Sequence, residues 1–364
     1  MDSTSFAFSE DFAMSQSYIR KGMVLCAGLG TRLLPITQIF PKPLVPLANI
    51  ANIVHSLSLL RRAGIRDVII NLHHLSQSIE NYLKDGSAWG MNLSYSEENI
   101  LLGTGGGLKK AESFFQGEPF VLANCDFITN IELLPLVETH FRRNALATMI
   151  LIEDKEKQAA YAKVGCDLNG NLCSLPKLET KVPVRTAIFT GIHILGNEVL
   201  PFLMEQTSGI NEVLYPRLMK EFAERTYCDF VEKSYWLDTG EISLLWKASV
   251  DLLGRLKEGD LQLRALIKEN GGYEELKPGV WVAEGKILDA TIDVNGPTMI
   301  GKDCDLGAGA SIGPYSVIGD NALIGPRAHV TRSVILPGGV VPEGQHAVDT
   351  LIFNRTALPI RGIN

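Results

Sequence analysis

Two hydrophobic periods run along this chain, and the switch between them divides it. In the first 256 residues, short apolar runs bounded by turn residues alternate with helical stripes. Met23–Ala27 reads as a buried strand. Ile53, Leu57 and Leu60, ending on Arg61-Arg62, mark one face of a helix that stops at Gly64, and a strand follows over Asp67–Leu72. The alternation continues with helices over Ser76–Leu83, Leu108–Phe115 and Glu132–Arg143 and strands over Leu93–Ser96, Phe120–Asn124 and Ala147–Ile152. Such alternation predicts an α/β domain, Rossmann-like, with a mostly parallel sheet and helices on both faces. Ligands of such sheets sit beyond the carboxyl ends of the strands, where Gly28, Asn124 and Asp126 fall.

From Asp154 to about Pro183 the pattern weakens into turns around Asp167–Asn171, which predicts an antiparallel insertion. Thr186–Leu195 reads as a buried strand, Val213–Glu224 as a helix, Cys228–Val231 as a strand and Glu241–Leu256 as a helix, before a charged, helix-favouring linker to about Leu276. Then the period changes to six. Leu288, Val294, Ile300, Leu306, Ile312, Ile318, Ile324, Val330 and Leu336 recur at that interval, with glycine at 301, 307, 313, 319 and 325 and small residues such as Cys304, Ala310, Ser316, Ala322 and Ala328. A fixed period means a stacked solenoid with its aliphatics inward. The hexads resemble the left-handed parallel β-helix, here of about three coils. The expected domains are an extension over 1–20, a catalytic domain over 21–256, a helical linker over 257–279, the β-helix over 280–345 and a tail over 346–364.

Composition narrows the partners. A net charge of -7 argues against nucleic acid or an anionic membrane as the main partner, so any phosphate site is local. No apolar run reaches membrane-spanning length, and residues 1–20 lack the basic start and apolar core of a secretory signal, although Phe6, Phe8 and Phe12 could dock on a neighbour. Six cysteines without a Cys-x-x-Cys pair read as reduced thiols in a cytoplasmic protein.

The candidate chemistry starts where the first strand breaks into Gly28-Leu29-Gly30-Thr31-Arg32, followed by Pro41-Lys42-Pro43. Glycines after a strand let backbone N–H groups approach an anion, Arg32 is suited to phosphate oxygens, and the prolines hold Lys42 in an extended segment. Leu33 stands where a dinucleotide fingerprint needs its third glycine, and Thr31-Arg32 replaces the Lys-Ser/Thr of a Walker loop. Two acids end apolar runs, Asp126 after Phe120–Cys125 and Asp238 in Trp236-Leu237-Asp238-Thr239-Gly240. Each alone reads equally as a metal ligand or a helix cap.

Together these motifs resemble the sugar-1-phosphate nucleotidylyltransferases, or NDP-sugar pyrophosphorylases, over about residues 20–255. The resemblance implies Asp126 and Asp238 as ligands of a catalytic Mg²⁺, with Arg32 and Lys42 as catalytic residues on the phosphates. It further implies nucleotide contacts from Leu25, Ala27, Gly28, Leu29, Gly30, Thr31, Asn124 and the turn Leu102–Leu108 with Thr104, Gly105 and Gly106, where side chains would collide with the base. Sugar contacts fall to Gly165 and to Gly191 in Phe189-Thr190-Gly191-Ile192. Many relatives carry Glu-Lys-Pro before that strand, where this chain has Ser174-Leu175-Pro176-Lys177. The glycine turn and the Gly191 strand look closer to the N-acetylmuramate-1-phosphate uridylyltransferase branch, whereas a β-helix is frequent in mannose-1-phosphate guanylyltransferases.

The implied reaction joins an NTP and a sugar-1-phosphate, UTP ahead of GTP with mannose-1-phosphate, into NDP-sugar and pyrophosphate. The alternatives are a catalytically silent nucleotide-sugar sensor and a glycosyltransferase, although Phe127-Ile128 after Asp126 leaves no Asp-x-Asp there and Asp303-Cys304-Asp305 lies in the solenoid. His73-His74 reads as strand-end packing. His329 and His346 invite an acyltransferase reading, against which assembly or regulation, with homo-oligomers formed through the β-helix, is the better expectation for so few coils.

Overall fold

The computed structural model describes residues 19–153 and 161–360, so Phe6, Phe8, Phe12 and residues 361–364 of the expected tail lie outside the described residues. Among the described residues, fourteen strands come before residue 240: β1 (Lys21–Leu25), β2 (Pro46–Leu47), β3 (Ile50–Ala51), β4 (Asp67–Leu72), β5 (Asn92–Glu97), β6 (Phe120–Asn124), β7 (Phe127–Thr129), β8 (Ala147–Ile152), β9 (Lys163–Cys166), β10 (Leu172–Leu175), β11 (Leu178–Glu179), β12 (Arg185–Leu195), β13 (Thr226–Val231) and β14 (Trp236–Asp238). The described chain forms two compact units that interleave in sequence. One runs up to Gly28 and contains Leu59–Asn124 and Ile131–Trp236; the other contains Leu29–Ser58, Cys125–Asn130 and everything from Leu237 onward.

The first unit is built on a ten-stranded sheet in the order β11-β10-β9-β12-β6-β1-β4-β5, with β8 pairing β12 and β13 pairing β8. Its parallel core is β5, β4, β1 and β6; the apolar runs of β4, β1 and β6 suit burial on both faces, whereas β5 is the largely polar edge strand. Beyond β6 the sheet turns antiparallel at β12, which also carries the predicted insertion strands β9–β11. Met23, Leu122, Met149, Leu151, Leu195 and Leu214 belong to one continuous core. The predicted strands Asp67–Leu72, Phe120–Asn124 and Ala147–Ile152 have the observed limits.

One helix differs from its expectation. It begins at Gly103 rather than Leu108 and runs through the glycines to Lys110. Glycine's poor helix propensity hid it. The glycines are needed because a Cβ on Gly106 would stand 2.1 Å from the Gln206 carbonyl oxygen, and one on Gly103 2.6 Å from that of Ser208.

In the second unit, the segment after Gly28 winds through three short 3-10 turns, Thr31–Leu33, Ile36–Gln38 and Lys42–Leu44, into the β2–β3 hairpin. Lys42 therefore sits at the start of a turn and not in an extended segment, because Pro43 in the first turn suits the 3-10 conformation. A helix over Ile242–Lys257 follows β14. The stretch read as a helix-favouring linker to about Leu276 forms a helix over Leu261–Gly271 and then a strand, Tyr273–Lys277. Gly272 in the left-handed conformation ends that helix, and the strand pairs antiparallel with Val280–Ala283.

The repeats form a parallel β-helix of three sheets with seven, four and three strands, the two end strands of the largest being antiparallel. Three coils carry a strand on every face: 298–312, 316–331 and 334–348. Val294, Ile300, Ile312, Ile318, Ile324 and Val330 point inward as the hexads predict. The expected Leu336 does not hold that place, since Ile318 pairs with Ile335 and Ile335 with Ile352. One corner accounts for the slip. It carries Gly296-Pro297 and Gly313-Pro314 in the earlier coils and Thr331-Arg332-Ser333 in the next, one residue shorter between inward positions.

Candidate active site

All four charged residues singled out by sequence lie in the second unit. The loop after Gly28 folds back on itself because Gly30 is left-handed, at φ 64°, and the Thr37 hydroxyl donates to its carbonyl at 3.0 Å. A Cβ on Gly30 would lie 2.8 Å from Thr37 Cγ2 and 3.0 Å from Lys42 Cβ, so this glycine lets the loop close on the lysine stem. Lys42 Nζ then donates to Asp126 Oδ2 at 2.5 Å. Burial alone would lower the ammonium's pKa, but the Asp126 charge first, then Cys125, the Asp126 hydrogen bond and Asp238 together hold it above its ordinary value.

The two acids are brought together by backbone pairing. β7 follows Asp126, β14 ends in Asp238, and the two strands pair, while Thr239 N donates to the Asp126 carbonyl at 2.9 Å. Asp238 Oδ1 accepts from Gly240 N at 2.5 Å, and a Cβ on Gly240 would meet Arg32 Nη2 at 2.7 Å. Burial and then the neighbouring Asp126 charge push the Asp238 carboxyl above its ordinary value, against the opposing Gly240 N–H, Arg32 and Lys42. Two carboxylates that repel, bordered by an arginine and a lysine, make a site where polyanion and cation charge can be balanced together.

Asn52 and Thr239 were not singled out in the sequence, yet both are fully buried, and Asn52 Nδ2 donates to the Thr239 hydroxyl at 2.8 Å. They tie the start of the helix Asn52–Arg62 to the backbone between Asp238 and Gly240. A polar pair 187 residues apart leaves no local signal.

The remaining candidates lie in the first unit, except Leu29, Gly30 and Thr31, which share the loop just described. Leu25 ends β1, with Asn71 of β4 opposite it on one side and Asn124 of β6 on the other. Next come Cys26, Ala27 and Gly28; Cys26 N donates to Asn71 Oδ1 at 2.8 Å, and a Cβ on Gly28 would meet nothing within 4 Å. Asn71 Nδ2 in turn donates to Glu98 Oε1 at 2.7 Å, and Glu98 Oε2 accepts from Leu102 N at 2.8 Å. This buried relay, also unread in the sequence, braces the strand end against the glycine helix. Its one available signal was an asparagine ending the apolar run Val68-Ile69-Ile70.

The protein itself explains several glycines. Gly105 and Gly106 abut Ser208 and Gln206, and Thr104 Oγ1 accepts from Ile210 N at 2.8 Å, at the start of the helix Ile210–Glu221. A Cβ on Gly165 would lie 2.5 Å from Pro183 Cβ. Gly191, at φ 84°, lies where the β12–β8 register shifts, against the Asn124 side chain. His73 Nδ1 pairs with the Glu98 carbonyl, and in the β-helix His329 stacks on His346 at 4.5 Å.

The nucleotidyl transferase family model matches residues 21–255. The chain belongs to that family. A UTP–glucose-1-phosphate uridylyltransferase of Synechocystis sp. is 31% identical over 92% of this chain and 87% of its own length. A probable mannose-1-phosphate guanylyltransferase of Oryza sativa subsp. japonica is 27% identical over 88% and 95% respectively. A solved structure described as a putative glucose-1-phosphate thymidylyltransferase of Bacillus anthracis, 20% identical, superposes with a TM-score of 0.53 over 63% of this chain and 93% of that one, a likeness of fold. The family resemblance drawn from Gly28–Arg32 and Pro41-Lys42-Pro43 is borne out by the family match and by these relatives.

Proposed function

We propose that this nucleotidyl transferase joins an NTP to a sugar-1-phosphate, giving an NDP-sugar and pyrophosphate. The observation that carries the reading is the meeting of Arg32, Lys42, Asp126 and Asp238 in one compact unit, with Lys42 bonded to Asp126 and Asp238 feeling its charge. A sugar phosphate is already ionised near neutral pH, so its attack on the α-phosphorus needs orientation and charge neutralisation rather than a protein base. Lys42 neutralises charge at the reacting phosphates, and exposed Arg32 steadies the leaving pyrophosphate. The open space beside Gly28 admits phosphate oxygens to the backbone.

The acid pair fits Mg²⁺. Among the described residues no three His, Cys, Asp or Glu side chains gather that could hold an ion, and Mg²⁺ commonly takes one or two carboxylates and completes its shell with water and substrate phosphates. When bound to Asp126 and Asp238, the ion supplies charge neutralisation across the phosphates.

For the substrates, the names of the relatives support UTP with glucose-1-phosphate first and GTP with mannose-1-phosphate second. Leu25, Ala27, Gly28, Asn124 and the Thr104–Gly106 turn are assigned to the nucleotide, and Gly165 and Gly191 to the sugar. The division into a catalytic domain over 21–256 and a β-helix over 280–345 belongs to this reading, as does assembly of copies through the β-helix. Six free, buried cysteines suit a reducing compartment such as the cytoplasm, and no helix among the described residues is long and apolar enough to cross a membrane.

The test is pyrophosphate release across a panel of NTPs and sugar-1-phosphates with Mg²⁺. Asp126→Asn and Asp238→Asn should each lower turnover at least about a hundredfold while the thermal melt stays cooperative. No release from any substrate pair by the unaltered protein would overturn the reading.

A further inference from the structure

A β-helix needs only its inward column to be apolar, so the column facing out of its largest sheet is informative. Trp281, Met299, Val317, Val334 and Leu351 align there across five parallel strands. All five are buried, none more than 2% exposed. The cover comes from the same compact unit. The helix Ile242–Lys257 packs on the strands Ser316–Ile318 and Thr350–Phe353, and Trp246 Nε1 donates to the Arg332 carbonyl at 2.8 Å.

The segment carrying Arg32 and Lys42 is fastened to this sheet at two points. Phe40, two residues before Lys42, meets Phe353 edge-on with ring centroids 6.1 Å apart. Seven residues after Lys42, Asn49 Nδ2 donates to the Ile318 carbonyl at 2.8 Å. Asn49 and Ala48 form the two-residue turn of the β2–β3 hairpin, both with positive φ, the form that matches hairpin twist. Turn tips are ordinarily solvated, yet Ala48 is only 1% exposed.

We propose that the β-helix is a working part of the active site: its main sheet grips the lysine loop on either side of Lys42 through Phe40–Phe353 and Asn49–Ile318, and this grip sets the reaction rate. Phe40, Asn49 and Phe353 are positioning residues; none touches the reacting groups. The reason lies in tolerance. A loop of three short turns has little regular hydrogen bonding to hold its charges in place, and a misplacement of about 1 Å costs on the order of a hundredfold in rate. The inference rests on the transferase reading for its rate arm, and has a second arm that does not.

Asn49→Gly tests it cleanly, because glycine accepts the positive φ of this turn and only the amide anchor is lost. Phe353→Ala removes the other anchor, and Phe353→Leu is the conservative counterpart. Hydrogen exchange of peptides spanning 29–45 reads the grip without substrate: both Asn49→Gly and Phe353→Ala should exchange faster there, with protection within β1, β4 and β6 unchanged. Each should lower kcat about tenfold while the KM for sugar phosphate moves less than about twofold, and Phe353→Leu should recover most of the rate. His346→Ala, on an exposed strand of another sheet, should leave both readouts as they are. Unchanged exchange over 29–45 in a folded Asn49→Gly or Phe353→Ala protein overturns the inference, as does unchanged kcat beside faster exchange. A wild-type protein that releases no pyrophosphate would sink the transferase reading and leave the exchange result standing.

Discussion

Two glycines two positions apart ask different things of their surroundings. A methyl on Gly28 enters open space, so Gly28→Ala should leave the melting temperature within about a degree while raising the nucleotide KM roughly tenfold, if phosphate oxygens approach that backbone. A methyl on Gly30 meets Thr37 and the Lys42 stem in a left-handed conformation, so Gly30→Ala should cost about 1–3 kcal/mol, measured by urea unfolding, and also lower kcat. Equal effects in both assays would mean that Gly28 also serves packing. At this scale the sequence was most legible where chemistry is local. Arg32 and Lys42 follow a broken strand, and Asp126 and Asp238 end apolar runs, so residue type and place were enough to single them out. Asn52, Thr239, Asn71 and Glu98 were not readable, because a buried polar side chain declares itself only through partners far along the chain. The glycines at 103, 105 and 106 illustrate the converse. Their pattern was plain, but its cause is the backbone of residues 206–208 rather than a feature near them in sequence.

Elements that carry a continuous apolar run between turn residues were legible, which is why strands such as β4, β6 and β8, buried along almost their whole length, have the expected limits. Two kinds of element were not. A helix made largely of glycine carries no helical preference, and the strand Tyr273–Lys277 alternates weakly, with four exposed residues after Tyr273. The helix Leu134–Arg142 was legible but carries a consequence that its pattern hid. His140 is buried on it, and its Nδ1 pairs with the Thr148 hydroxyl of β8 at 2.8 Å. Burial, aided by Arg225, lowers the His140 pKa to about 4. The folded state therefore binds fewer protons than the unfolded chain between the ordinary imidazole value and about 4, so stability is present at neutral pH and is lost as pH falls through that window. From pH 7 to about pH 5 this one residue should remove about 2 kcal/mol, read as urea midpoints at the two pH values. His140→Asn should flatten that dependence even if it lowers stability at neutral pH; an undiminished slope would assign the effect to other groups.

For the whole molecule, the change of period at about residue 280 located the β-helix, yet the compact units do not follow chain order. Leu29–Ser58 and Cys125–Asn130 leave the large sheet's sequence neighbourhood and join the unit that contains the repeats. Nothing local announces this, because contacts such as Asn49 to Ile318 span 269 residues. A prediction follows for unfolding. Ile324→Ala, in the β-helix core, should cost about 2–5 kcal/mol, and the urea concentration that halves activity should fall with the midpoint for that unit. Activity that outlasts β-helix unfolding would show the repeats to be dispensable for turnover. The largest sheet of the β-helix also starts and finishes on an antiparallel strand, Tyr273–Lys277 at one end and Thr356–Pro359 at the other. A ladder left bare at its rims would template the next molecule and grow into a fibre. Here the outermost strands run against the grain, and the first of them bears Glu274, Glu275 and Lys277, so endless stacking along this ladder is discouraged.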